Sequence, residues 1–288
     1  MRIASLFEQK KTVFSFEVFP PKKTSSIDTI YATLEELQGL NPDFISVTYG
    51  AGGNTGDHIT CDIASVIKNK YNILPLAHLT CINDTREDIE VVLDRLEQNG
   101  IKNILALRGD INPNIPPKKE FKHASELIAF IKQRGGFHIS GACYPEGHVD
   151  SDSLVDDILN LKKKVDAGAE HLISQLFFDN NYFYSFVERA RIAGINVPIE
   201  AGIMPVVNKA QIERMVTLCG ASLPSKFVKM IQRFEHSPEA LRDAGIAYAV
   251  DQIVDLISQG VDGIHLYTMN NPYIAKRISE SISGLIQA

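Results

Sequence analysis

A chain of 288 residues, 44% hydrophobic and 22% charged, has ample apolar material for a large core, and its length suits one α/β barrel as well as two smaller domains. A net charge of −6 leaves no basic excess to neutralise phosphates, which excludes a general nucleic-acid binder. There is no bilayer-length apolar run, no signal-peptide core at the start, and no Cys-x-x-Cys pair among Cys61, Cys81, Cys143 and Cys219, so the expectation is a reduced, cytoplasmic protein without a zinc or iron–sulfur site.

The first strand signal is Val13-Phe14-Ser15-Phe16-Glu17-Val18-Phe19, alternating and rich in aromatics, stopped by Pro20-Pro21. Ser25 and Ser26 offer caps for a helix to about residue 38, closed by Gly39. A second strand over 43–49 runs into Gly50-Ala51-Gly52-Gly53, and a helix follows over 57–71. The third strand, 74–81, carries Pro75 at its start, where a missing N–H costs least. Thr85 and Asp88 read as a capping box for a helix that ends at Asn99-Gly100.

The fourth strand opens the stretch Asn103-Ile104-Leu105-Ala106-Leu107-Arg108-Gly109-Asp110, which has no room for a helix between its two glycines. A rigid loop with Pro113, Pro116 and Pro117 leads to a helix over 124–134. Then come strand five (138–144), a helix over 154–167 with Gly168 at its C-cap, strand six (171–176) and a helix over 182–193. Strand seven (197–203) is followed by helices over 209–218, 224–234 and 238–259, the middle one extra to the pattern. Strand eight (263–267) and a last helix (272–285) close the chain.

Strands that alternate with helices must pair in parallel through crossovers, and eight such units predict a single-domain (β/α)8 TIM barrel over 1–288. A doubly wound open sheet is the alternative, but no Gly-x-Gly-x-x-Gly opens a helix. In a barrel every strand's carboxyl end meets the same mouth, so Glu17, Thr48, Tyr49, His78, Arg108, Asp110, Tyr144, His148 and Gln175 become neighbours. A two-His-one-carboxylate metal site is conceivable from this set, while a Ser-His-Asp triad lacks its Gly-x-Ser-x-Gly elbow. Glu17, flanked by Phe16, Val18 and Phe19, either points inward as a carboxyl whose pKa is raised, hence a proton donor, or outward to a lysine such as Lys22. The strand pattern leaves both open.

Taken together, Phe16-Glu17-Val18-Phe19-Pro20-Pro21, Ser46-Val47-Thr48-Tyr49-Gly50-Ala51, Ala77-His78-Leu79-Thr80-Cys81, Ala106-Leu107-Arg108-Gly109-Asp110, Tyr144-Pro145-Glu146-Gly147-His148, the run from Leu161 to Ala169, and Tyr267-Thr268-Met269-Asn270 occur in an order that resembles bacterial methylenetetrahydrofolate reductases. The resemblance implies non-covalent FAD, NADH or NADPH as co-substrate, and ping-pong reduction of 5,10-methylenetetrahydrofolate to 5-methyltetrahydrofolate for methionine synthesis. It implies Glu17 as general acid and Asp110 as the carboxylate between flavin and folate, with Gln175 and Gln211 as folate contacts. It implies a flavin site of Thr48, Tyr49, Ala51, His78, Arg108, Gly109, Asp110, Tyr144, His148, Asp157, Asn160 and Lys164. Met215 stands where relatives often carry a phenylalanine over the ring, and Asn271 where they often carry an arginine, so both are expected on the substrate side. The expected partners are the folate and further copies of the chain, with no nucleic acid, membrane or regulatory domain. The competing reading is a flavin- or pterin-binding barrel that serves a larger electron-transfer assembly and needs a partner protein.

Overall fold

The structure is a computed structural model that describes the chain apart from residues 22–23, 50–55, 112–115, 209–211, 213–214 and 218. Eight strands, β1 (Val13–Val18), β2 (Phe44–Val47), β3 (Leu74–Thr80), β4 (Asn103–Leu107), β5 (His138–Cys143), β6 (His171–Ser174), β7 (Ile199–Ile203) and β8 (Gly263–Tyr267), form a closed barrel in sequence order. Every neighbouring pair is parallel, and β1 closes on β8 with Val13 opposite Gly263 and Glu17 opposite Tyr267. The crossovers run through α1 (Asp28–Gln38), α2 (Gly56–Asn69), α3 (Arg86–Gln98), α4 (Ala124–Arg134), α5 (Leu154–Ala167) and α6 (Asn180–Ile192). After β7 come α7 (Ser225–Phe234) and α8 (Pro238–Ser258), and α9 (Pro272–Ile286) follows β8. None of the described helices is long and apolar enough to cross a membrane.

Local sequence accounts for these elements. In α3, Ile89, Val92, Leu93 and Leu96 recur at the spacing that puts them on one face, and all four are buried against the barrel. Its start is fixed by the Thr85–Asp88 capping box, with each side chain bonded to the other residue's backbone N–H. Two strands end sooner than the pattern predicts, β2 at Val47 and β6 at Ser174, whereas β4 stops at Leu107, where its apolar run stops. The residues beyond have left the ladder and form the rim of the barrel. The predicted 209–218 helix falls largely outside the described residues, although Met215–Thr217 are helical.

The barrel interior holds apolar and polar side chains in contact. Val13, Phe44, Leu76, Leu105 and Ile173 pack with Ile3 and Leu6, which come from a short 3-10 turn (Ile3–Leu6) closing the amino-terminal end, and the Phe44 ring also stacks on that of His265 at 6.0 Å. That plug is pinned by Asn103, whose Oδ1 accepts from Ile3 N at 3.1 Å. The polar members of the interior, Ser15, Ser46, Ser140, His171, Glu200 and His265, are all buried. Gly263 makes room for this set, because a Cβ there would lie 2.7 Å from Glu200 Cγ and 2.9 Å from Val13 O.

Candidate active site

At the carboxyl end the strands open onto a cavity of about 740 Å³. Glu17 reaches it from β1 as an inward residue, since Ser15 and Glu17 share a face while Phe14, Phe16 and Val18 pack in the outer core. Its carboxylate lies 3.6 Å from His78 Nε2 and 3.7 Å from His265 Nε2. Burial pushes the His78 imidazole down to about 4, against the opposing pull of Glu17, so His78 is neutral at pH 7. The outward arrangement of Glu17 is thereby excluded.

The backbone around Glu17 is held from across the β1–β8 seam. Thr268 Oγ1 donates to Glu17 O at 2.6 Å. Asn270 brackets Phe19, its Nδ2 donating to Phe19 O at 2.8 Å and its Oδ1 accepting from Phe19 N at 3.0 Å. Met269 and Asn270 both sit in the left-handed region, each with φ of 52°, which turns the chain back onto β1. The Tyr-Thr-Met-Asn motif is thus a clamp on the strand that carries the glutamate.

After β4 the chain turns at Gly109 (φ 88°), packed so close to β3 that a Cβ would lie 3.0 Å from Thr80 Cβ. Arg108 O accepts from Cys81 N and Ile82 N, locking the β3 and β4 exits together. The Arg108 guanidinium donates to Asp150 at 2.8 Å and holds that carboxyl below the usual range. Asp110, one residue past the turn, faces the same cavity.

The β5 exit and α5 form the next wall. Tyr144 and His148 meet edge to face, with ring centroids 4.6 Å apart. Asp157 Oδ1 accepts from His148 N and from Ser151 Oγ, so this buried carboxylate ties the loop to the helix. Burial, then Arg108, depresses the His148 imidazole. Lys164 donates to Ala142 O at 2.9 Å and lies 5.5 Å from the Tyr144 ring centroid, and burial lowers its ammonium pKa. Asn160 is exposed on the same helix face and accepts from Lys163.

Thr48, Tyr49, Gln175 and Met215 also line the cavity. Asn271 stands apart: its side chain caps α9 by accepting from Ile274 N, and it is not on the described cavity wall. Ala51 and Gln211 lie outside the described residues. The wall also includes residues that the sequence reading passed over, among them Asn83 and Asp84 beyond β3, His123 and Ser125 at α4, and Met204 beyond β7. Their signal was position alone, since Asn83 and Asp84 follow β3 much as Arg108 and Asp110 follow β4. Tyr49 Oη, Asn83 Oδ1 and Asp84 Oδ1 are buried without a hydrogen-bond partner among the described residues. These atoms are free to bond water or a polar ligand that enters the cavity.

Comparisons with known proteins agree with this geometry. A family model described as methylenetetrahydrofolate reductase matches residues 2–283. "Methylenetetrahydrofolate reductase (NADH) 1" of Arabidopsis thaliana is 36% identical over 289 residues, covering 93% of this chain but 48% of the plant protein. The "5,10-methylenetetrahydrofolate reductase" of Pectobacterium carotovorum is 35% identical over 268 residues, covering 93% of this chain and 89% of its own length, and that of Escherichia coli is also 35% identical. This chain therefore spans about half the length of the plant relative and about nine tenths of the bacterial ones. A solved structure titled as an uncharacterized Clostridium thermocellum protein that binds two copies of 5-methyl-5,6,7,8-tetrahydrofolic acid superposes over the full length of both chains, with a TM-score of 0.67 at 14% identity, a likeness of fold. With its barrel, its clamped glutamate and its Arg-Gly-Asp exit, the chain belongs to the methylenetetrahydrofolate reductase family.

Proposed function

We propose that the chain reduces 5,10-methylenetetrahydrofolate to 5-methyltetrahydrofolate, using NADH or NADPH through non-covalent FAD in two alternating half-reactions. The observation that carries the reading is the convergence of Glu17 from β1, Asp110 from the β4 exit and Gln175 from the β6 exit on one cavity, in a chain of this family.

The cavity wall suits a flavin dinucleotide. Arg108 and Lys164 are cations suited to a pyrophosphate, and Thr48, Tyr49, His78, Gly109, Tyr144, His148, Asp157 and Asn160 offer donors, acceptors and ring faces for the rest. The orphaned hydroxyl of Tyr49 and ring nitrogen of His78 would gain partners on binding. Bound there, FAD supplies the two-electron carrier between nicotinamide and folate.

The remaining chemistry falls to side chains. Glu17, in its protonated form, gives a proton to the folate so that the five-membered ring opens to the 5-iminium cation, and is left a carboxylate. Asp110 opposes the positive charge that develops, in a cavity where water screens it less than in bulk. Gln175 orients the pterin, and Met215 covers the ring in place of a phenylalanine.

Glu17→Gln tests the reading. Stopped-flow measurements should find NAD(P)H-driven flavin reduction within about twofold of the parent and folate reduction lost by at least about 10³-fold. Equal loss in both half-reactions contradicts the role given to Glu17. A purified protein without flavin absorbance that also fails to take up FAD contradicts the cofactor.

A further inference from the structure

Beneath Glu17, buried polar groups of the barrel interior lie in a file. His265 Nε2 faces the Glu17 carboxylate at 3.7 Å, and His265 Nδ1 is 2.7 Å from Ser15 Oγ. Ser15 Oγ is in turn 2.9 Å from Glu200 Oε1, and Glu200 Oε2 is 3.0 Å from His171 Nε2. His171 Nδ1 ends the file at Ser140 Oγ, 3.0 Å away. Glu200 and His265 are fully buried and His171 is 1% exposed, so no water is at hand to substitute for any of these partners.

The order of the partners fixes where the hydrogens sit. Glu200 Oε2 and His171 Nε2 lie 3.0 Å apart but outside hydrogen-bond geometry, so the hydrogen positions that matter for Glu17 are set at Ser15. Ser15 has one hydrogen and spends it on the buried Glu200 carboxylate, where an unpaired charge would be most unfavourable. Ser15 Oγ therefore accepts from His265, which requires Nδ1–H. In its uncharged form the His265 ring then presents its Nε2 lone pair to Glu17, and a lone pair there matches a carboxylic acid better than a carboxylate. Other groups around Glu17 do not reverse this. His78 on β3 is neutral, Ser46 on β2 is a weak 3.4 Å neighbour of His265 Nε2, and the Tyr267 hydroxyl on β8 is committed to Ser174 O at 2.7 Å.

We propose that His265, held in one tautomer by Ser15 and Glu200, is a positioning residue that keeps the proton of Glu17 in place for delivery to the folate. The proposal rests on the proton-donor role of Glu17 given above. When Glu17 releases its proton to the substrate, the new carboxylate faces the Nε2 lone pair, an unfavourable state relieved when Glu17 takes a proton back from solvent through the open cavity. The network thereby favours the acid form between turnovers, with no net change in its own protons.

Ser15→Ala and Glu200→Gln test the proposal without touching the cavity. In the holoenzyme, both should move the alkaline limb of the folate half-reaction to lower pH by about one unit, a tenfold loss of proton affinity. The nicotinamide half-reaction, followed on the same samples, serves as the control. Because Glu200→Gln alters a buried ion pair and can fail to fold, 15N spectra of histidine-labelled parent holoenzyme supply an independent reading. They should find neutral His265 as the Nδ1–H tautomer, and Ser15→Ala should convert it in part to Nε2–H. Superimposable pH limbs in parent and Ser15→Ala, or an Nε2–H tautomer in the parent, overturns the proposal. Folate reduction that survives in Glu17→Gln removes the role of Glu17 itself, and the tautomer result then distinguishes a wrong donor from a wrong network.

Discussion

At the level of single side chains, the same residue types do different work according to burial. His78 and His148 are both depressed by desolvation, His78 to about 4, so neither brings a full positive charge to the cavity at pH 7. Cationic character there rests with Arg108, which is anchored to Asp150, and with Lys163 and Lys164. Asp84 shows the opposite shift: burial, reinforced by Asp88, lifts its carboxyl from 3.8 to about 6. A raised folded-state pKa favours folding below the unfolded value and loses that contribution as pH rises through about 6. Asp84→Asn should therefore raise the Tm of the flavin-free protein by about 2–4 °C at pH 8 and leave it unchanged near pH 4. Thermal unfolding at the two pH values checks this, and equal gains at both contradict the assignment.

At the level of elements, the site depends on how strand exits are tied. The β3 and β4 exits share the Arg108 carbonyl, the β5 loop is bound to α5 through Asp157, and β1 is clamped by the turn after β8. The last of these separates backbone strain from hydrogen bonding. Asn270→Ala loses both bonds to Phe19 and places alanine at a φ of 52°, so it should destabilise by about 2–3 kcal/mol. Asn270→Gly keeps the turn but not the bonds, and should lose about half as much. Urea denaturation of both variants gives the comparison; identical losses would place the whole effect in the bonds. Thr85 and Asp88 illustrate what short-range sequence makes readable, since a capping box needs only four consecutive residues. The early ends of β2 and β6 were less readable, because an uncharged residue past the last ladder bond looks the same in sequence as one within it.

At the level of the molecule, a closed barrel must fill its own interior and seal the end opposite the cavity. The seal is the turn at Ile3–Leu6, which no periodicity signals because four residues are too few to establish one. Leu6→Ala should cost about 3 kcal/mol by opening a void beside Phe44 and Leu76. Guanidinium denaturation measures the loss, and a loss below about 1 kcal/mol would mean that the plug carries little of the barrel's stability.

The alternation of strands and helices, the absence of a dinucleotide fingerprint and the charged exit of β4 were enough to predict a parallel barrel with its chemistry at one mouth, because strand burial and crossover geometry are imposed by the local order of residues. Which way Glu17 points, that Asn271 is engaged as a helix cap, that Asn83 and Asp84 join the wall, and that Ser15, Glu200, His171 and His265 form one file had no such local signature. Those four residues come from β1, β7, β6 and β8, and the closing of the barrel brings them within hydrogen-bond range. Contacts such as that between Ser15 and His265, 250 positions apart, arise from closure of the sheet, and closure is a property of all eight strands together.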